Sequence, residues 1–159
     1  MRLSEVILRL GHRRWFATAG RLLMPLDRRL IRLTGGRLSV TGWRTAPPTL
    51  LLTTRGRTSG RLRERPLLYA WDGDAYVVIG SNWGQAGHPA WSGNLLADPA
   101  ATVTIAGQTT AVRATLLEGA ERDRVWPQLL RVWPAYRDYD ARSGRTLRIF
   151  RLEPVRRGG

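Results

Sequence analysis

Three stretches of the chain carry residues able to do chemistry. The first is Thr53-Thr54-Arg55-Gly56-Arg57-Thr58-Ser59-Gly60-Arg61-Leu62-Arg63. It leaves an apolar run and offers two glycines, hydroxyls and guanidinium groups within one turn. Glycine lets backbone approach a ligand closely, and successive N–H groups in such a turn form an anion-binding nest. Arg adds paired hydrogen bonds to phosphate or carboxylate. The stretch is no Walker loop, since it lacks Lys and the spacing differs. The second is Gly80-Ser81-Asn82-Trp83-Gly84, where an apolar run opens into small polar residues. Trp83 suits the face of an aromatic ring. The third is Trp133-Pro134-Ala135-Tyr136-Arg137-Asp138-Tyr139, three aromatics around a helix break. They suit one wall of a flat apolar pocket, with a tyrosine hydroxyl as proton donor. A solvated hairpin loop, an ordinary loop and core packing are the competing readings of the three.

Other chemistries are poorly served. The chain has no cysteine, and His12 and His88 are its two histidines, far apart and without metal-ligand spacing. No metal site is expected. There is no G-x-S-x-G elbow. Asp72 and Asp74 read as turn residues around Gly73.

The elements that position these stretches divide near Pro47-Pro48. Residues 1–47 read as a basic amphipathic helical arm, with Leu3, Val6, Ile7 and Leu10 on one face and a second run through Leu22, Leu23, Leu26, Leu30 and Leu33. Residues 48–159 read as the body. Strands are expected at 49–54, 66–71, 75–79, 102–106, 109–116 and 147–152, with helices near 90–97, 118–133 and 136–142. Asp72-Gly73-Asp74 and Gly107-Gln108 are hairpin signals. Antiparallel hairpins with a few helices predict a mainly β, α+β fold: a small barrel or roll.

Charge is the strongest global feature: 26 basic and 12 acidic residues, a formal net of +14, every base an Arg. Such an excess favours anionic partners. No nucleic-acid-binding motif accompanies it, so no nucleic acid is expected. No stretch approaches the ~20 apolar residues that span a bilayer. The expected location is the cytoplasm; the arm either packs on the body with its Arg faces in solvent or makes a peripheral contact to the anionic inner face of the cell membrane, the first reading being favoured.

The ordered set of motifs resembles the deazaflavin-dependent nitroreductase family of actinobacteria, within the split-barrel flavin/deazaflavin reductase superfamily. The resemblance runs through the Arg57 loop, Pro66-Leu67-Leu68-Tyr69, His88-Pro89-Ala90-Trp91 with Asn94, Asp98-Pro99, and Trp126-Pro127 with the late tyrosine cluster. It covers Pro48 to Val155. It implies a split β-barrel and coenzyme F420, a deazaflavin with a phosphate and a glutamyl tail. The implied reaction passes a hydride from the reduced coenzyme to a quinone, a nitroaromatic or another conjugated acceptor.

Position by position, the resemblance puts Arg57, Thr58, Ser59, Gly60 and Arg63 in the cofactor loop and Pro66 next to the ring. Ser81 falls near the reactive face with Asn82 beside it, and Trp91 and Asn94 lie on a helix lining the groove; Trp83, read from its own ring chemistry, joins the cofactor contacts. Tyr136 and Ser81 are the implied catalytic donors. Trp133, Tyr136 and Tyr139 form the implied acceptor wall. Two positions depart from the family pattern: its loop Lys is Thr58 here, and a basic position after its serine is Asn82. Losing a charge-assisted contact costs ~1–3 kcal/mol, with Arg55, Arg61 and Arg65 nearby to compensate. These departures motivate an alternative: a non-catalytic split-barrel protein that binds FMN or lipid. Monomer and homodimer are both compatible with the sequence.

Overall fold

The structure, a computed structural model, describes residues 47–155 together with Trp15, Thr18 and Ala19. These last three positions are helical. The rest of the expected arm, and the boundary at residue 47, lie outside the described residues.

The body is one antiparallel sheet of seven strands: β1 (Thr49–Arg55), β2 (Leu62–Leu68), β3 (Ala70–Asp72), β4 (Ala75–Ile79), β5 (Ala100–Ile105), β6 (Gln108–Leu117) and β7 (Ile149–Pro154). Three helices accompany it: α1 (Ala90–Ala97), α2 (Gly119–Val132) and α3 (Tyr136–Ser143). The strand order is β2-β1-β5-β6-β7-β4-β3. β2 and β3 therefore lie at opposite ends of the order, yet Tyr69 alone connects them in sequence. The sheet must curl until its two ends meet, and β2 indeed touches β4 across the gap. Tyr69 N–H donates to Pro48 O at 3.0 Å and pins the junction. The expected barrel thus follows from the connectivity itself.

The sheet separates two apolar clusters. Leu50, Leu52, Val78, Val103, Val112, Phe150 and Leu152 fill one side, where α1 adds Trp91 and Leu95. Val77, Ile79, Leu117 and Ile149 face the other, beneath Val125 and Leu129 of α2 and Tyr136 and Tyr139 of α3. Successive residues of β4 point to opposite clusters, as a strand's two-residue period requires. Burial on both faces explains the unbroken apolar run Tyr76-Val77-Val78-Ile79. Among the described residues no helix is long and apolar enough to cross a membrane.

The structure corrects two strand expectations. β2 begins at Leu62, not Pro66, because β1 pairs with it residue by residue from Thr49↔Leu68 to Arg55↔Leu62. An edge strand tolerates the charges and the proline that pattern alone assigns to a loop. The last strand starts at Ile149 and runs to Pro154, which frees 144–148 as a connecting segment.

Candidate functional site

The turn between β1 and β2 is closed by its own backbone. Gly56 N–H donates to Arg61 O at 2.8 Å and Gly60 N–H to Gly56 O at 2.7 Å. Ser59 Oγ accepts from Arg61 N–H at 3.3 Å. Arg57 leaves this turn toward α1. Its N–H donates to Asn94 Oδ1 at 3.2 Å, and its Nη1 donates to Ala90 O at 3.1 Å and to Asn94 Oδ1 at 3.3 Å. Asn94 is buried, and its Nδ2 donates to the equally buried Thr54 Oγ1 at 3.0 Å. One amide thus ties the first strand, the turn and the helix together. The guanidinium of Arg57 lies over Gly93, where a Cβ would stand 2.6 Å from Nη1.

Thr58, Ser59, Gly60 and Arg63 are exposed, and Arg63 sits on β2 opposite Thr54. Pro66 is half-buried opposite Leu51. Trp91 is buried and supports α1 from beneath, its ring 5.8 Å from Phe150. Among the described residues no carboxylate pairs with Arg55, Arg57, Arg61 or Arg63. Guanidinium groups gathered without counter-charge favour an anion.

The second stretch follows β4. Gly80 N–H donates to Arg148 O at 2.7 Å. Residues Asn82–Gly84 then form a 3₁₀ turn in which Asn82 (φ 45°) and Trp83 (φ 57°) both take the left-handed region. Non-glycine residues there cost on the order of 1–3 kcal/mol each and persist only when the surroundings hold them. Asn82 uses its amide within the loop, donating to Gln85 Oε1 at 3.2 Å and Gly87 O at 2.9 Å.

The holding group is Arg145, which no sequence motif singles out. Its Nε donates to Gln85 O at 3.2 Å, and its Nη2 to Gly80 O at 3.1 Å and Ser81 O at 3.2 Å. Its Nη1 lies 3.0 Å from His88 Nδ1. A guanidinium can only donate, so Nδ1 accepts and the ring proton sits on Nε2. Burial, then Arg145 and Arg148, hold the His88 pKa below its ordinary value. Arg148 was likewise missed from sequence; its Nη1 donates to Ser92 Oγ of α1 at 3.2 Å.

The third stretch forms an aromatic wall. Tyr136 and Tyr139 share a face of α3, one turn apart, with ring centroids 6.2 Å apart and nearly perpendicular. Trp83 approaches Tyr139 at 6.4 Å, and Trp133 Nε1 donates to the Tyr139 hydroxyl at 3.5 Å. Trp133, Tyr136 and Tyr139 are buried, whereas Trp83 is half-buried. The 3₁₀ turn packs so closely on α3 that a Cβ at Gly84 (φ 75°) would lie 3.1 Å from Tyr139 Cα. The Tyr136 hydroxyl has no hydrogen-bond partner among the described residues. Burial, with a smaller contribution from Tyr139, pushes its pKa far up. It is a phenol at every ordinary pH: a proton holder and hydrogen-bond donor, not a base.

The second and third stretches are therefore in direct contact. The first is tied to α1, which abuts Gly80 through Pro89 and reaches Arg148 through Ser92. No hydrogen bond or ring contact links Arg57 directly to Tyr136. A cavity of about 460 Å³ opens elsewhere, lined by His88, Leu117, Glu118, Arg122, Leu147 and Arg148 among others, and none of the expected site residues lines it.

The family model for F420H(2)-dependent quinone reductase matches residues 23–154. A protein of Mycobacterium tuberculosis described as an F420H(2)-dependent quinone reductase is 32% identical over 143 residues, covering 86% of this chain and 93% of its own. A second protein of that bacterium, given the same description provisionally, is 39% identical over 100 residues, 63% of this chain and 82% of its own. A solved structure described as an F420-H2 dependent reductase superposes with a TM-score of 0.62 at 31% identity, covering 67% of this chain and 94% of that one. The curled antiparallel sheet with its short helices is the split barrel of that reductase. The chain belongs to the F420H(2)-dependent quinone reductase family: it is an oxidoreductase that uses the reduced deazaflavin coenzyme F420.

Proposed function

We propose that the Arg57 turn, α1 and the 80–88 loop hold F420, and that an acceptor quinone meets the wall made by Trp83, Trp133, Tyr136 and Tyr139. The observation that carries this reading is the set of guanidinium groups at 55–63 that meet no carboxylate among the described residues, one of them anchored by Asn94 over Gly93. These residues fit a coenzyme with a phosphate and an acidic tail. Thr58 and Asn82 leave the family's two cations absent; Arg55, which donates to Gly60 O at 3.0 Å, and Arg61 lie in the same turn as Thr58 and can take over its charge. Bound in its reduced form, F420 supplies the hydride.

The chain's own groups bind, orient and protonate. Arg57 and Arg63 grip the anionic end, with Ser59 and Gly60 shaping the turn. Pro66 and Ser81 border the ring. The aromatic wall excludes water from the acceptor and lays a flat molecule against it. A quinone that takes up one hydride needs one proton to become the hydroquinone. Tyr136, which keeps its phenolic proton, donates it or hydrogen-bonds the acceptor oxygen. Nitroaromatics have the same requirement and suit the same wall.

The test is a titration of the purified protein with F420, followed by quinone turnover of Tyr136→Phe. Saturable F420 binding is expected in both proteins, and kcat of the variant is expected to fall about 10²-fold, at the lower end of what a positioned acid contributes. Normal turnover by the variant on several acceptors would remove Tyr136 from the reaction. Saturation by FMN and not by F420 would favour the alternative that Thr58 and Asn82 motivate.

A second outcome isolates the anion grip. Gly93→Ala places a methyl group where the Arg57 guanidinium lies, so the flexible side chain is expected to swing away. F420 affinity should fall about 10-fold or more, as for loss of one charge-assisted contact. Thermal stability should hold or rise, since Ala in a helix is favoured over Gly by about 1 kcal/mol. An unchanged Kd would show that Arg57 is not part of the grip.

A further inference from the structure

We propose, on the function given above, that Arg145 is a positioning residue for this reaction: its planar fork holds both ends of the 80–88 loop and so fixes where Ser81 and Trp83 stand. Arg145 lies in the segment after α3. There Gly144 (φ 66°) turns the chain, and Ser143 Oγ accepts from Arg145 N–H at 3.3 Å. The side chain then reaches back 57 to 65 residues in sequence, and every acceptor it finds belongs to one loop: Gly80 O, Ser81 O, Gln85 O and His88 Nδ1.

Apart from Arg145, the loop is held by the Gly80 N–H bond to Arg148 O and by the packing of its 3₁₀ turn on α3. Its own bonds are Gly84 N–H to Ser81 O, Gln85 N–H to Asn82 O and the Asn82 amide. Two consecutive left-handed residues, Asn82 and Trp83, need an external restraint, and Arg145 is positioned to supply it. Trp83 is at once the residue that touches Tyr139, so the restraint extends to the acceptor wall. Among the described residues no ion pair holds Arg145; burial first, then Arg148, lower its pKa, while Asp140 acts the other way. A lysine has the charge but one nitrogen in place of the fork, so it cannot reproduce the separate reach of Nε to Gln85 O and Nη2 to Gly80 O and Ser81 O.

The experiment compares wild type, Arg145→Ala and Arg145→Lys by amide hydrogen exchange without ligand, by histidine NMR and by quinone turnover. In Arg145→Ala, the amides of Gly84 and Gln85 are expected to exchange about tenfold faster or more, while amides between β6 and β7 stay protected. F420 affinity should weaken, since the 80–88 loop is part of its holder, and kcat should fall by about 10²-fold, the penalty of a misplaced constellation. The His88 resonance, one of two histidine signals, should titrate higher in Arg145→Ala and return toward wild type in Arg145→Lys. Exchange and kcat should not return in Arg145→Lys. Wild-type exchange in Arg145→Ala, or full recovery of exchange and kcat by Lys, would overturn the proposal. Should Arg145→Ala fail to fold, Arg145→Lys decides alone on exchange and kcat. Should wild type fail to reduce any quinone with F420H2, the proposed function falls, and exchange still decides whether the clamp exists.

Discussion

Asn94→Ala is expected to lower stability by about 2–3 kcal/mol and to weaken F420 binding in the same variant. Asn94 is 5% exposed and Thr54 is 1% exposed. Removing the amide strands the Thr54 hydroxyl away from water, and a buried polar group without a partner costs about 1–3 kcal/mol. It also removes the acceptor shared by the N–H and Nη1 of Arg57. The turn then keeps only the Arg57 Nη1 bond to Ala90 O as its link to α1, and the guanidinium is held at one point instead of two. Urea unfolding gives the first quantity and F420 titration the second. Asn94→Asp separates them, because it keeps an oxygen for Arg57 but has no N–H for Thr54, and it sets a negative charge beside the anion grip. Loss of stability with wild-type affinity would detach Asn94 from the coenzyme site.

Tyr139→Ala is expected to be the most destabilising change in the aromatic wall, at about 3–5 kcal/mol, the usual result of deleting a buried aromatic ring. Tyr139 is 1% exposed and meets Trp83, Tyr136, Trp133 and the guanidinium of Arg142, whose centre lies 5.1 Å from the ring centroid. Tyr139→Phe keeps the ring and removes the hydroxyl that accepts a 3.5 Å hydrogen bond from Trp133, so it should cost much less than Tyr139→Ala, about 1.5 kcal/mol. Under stabilising conditions Tyr139→Ala should still bind F420 through the Arg57 turn, though less tightly because the 80–88 loop rests on Tyr139, and should lose quinone turnover, since the wall is broken. Denaturant midpoints and single-turnover rates measure the two effects. A Tyr139→Ala protein with wild-type turnover would move the acceptor away from this wall.

What could be read from the sequence was local. Asp72-Gly73-Asp74 marked a tight turn, and β3 and β4 pair across it from Asp72↔Ala75. Gly107 marked another, though the turn centres on Ala106 and Gly107, both at positive φ. The Trp133 to Tyr139 cluster was visible because aromatics around a proline are conspicuous, and their i, i+3 spacing on α3 is a helical property. Arg145 was invisible for a physical reason. Its partners are mostly main-chain carbonyls, which every residue has, and they lie far away in sequence. Spacing reveals side chains that match one another, and it reveals nothing about a side chain that grips bare backbone. Asn94 was flagged only through the family resemblance, and its bond to Thr54 spans 40 residues. Strand β2 was misjudged because Leu62-Arg63-Glu64-Arg65-Pro66 has no apolar alternation of its own. Pairing along the whole of β1 imposes the strand instead.

The seam at Tyr69 sets a constraint of a different kind. Most loops absorb added length at little cost, because closing a longer loop is only slightly harder. This junction has no slack to give, since one residue carries the chain from the first rim of the ring to the last. A single extra residue there would turn Ala70, Trp71 and Asp72 over, trading a buried alanine for an exposed indole. The circumference of the ring is thus measured out by chain length at one point, and sequence drift elsewhere leaves it unchanged.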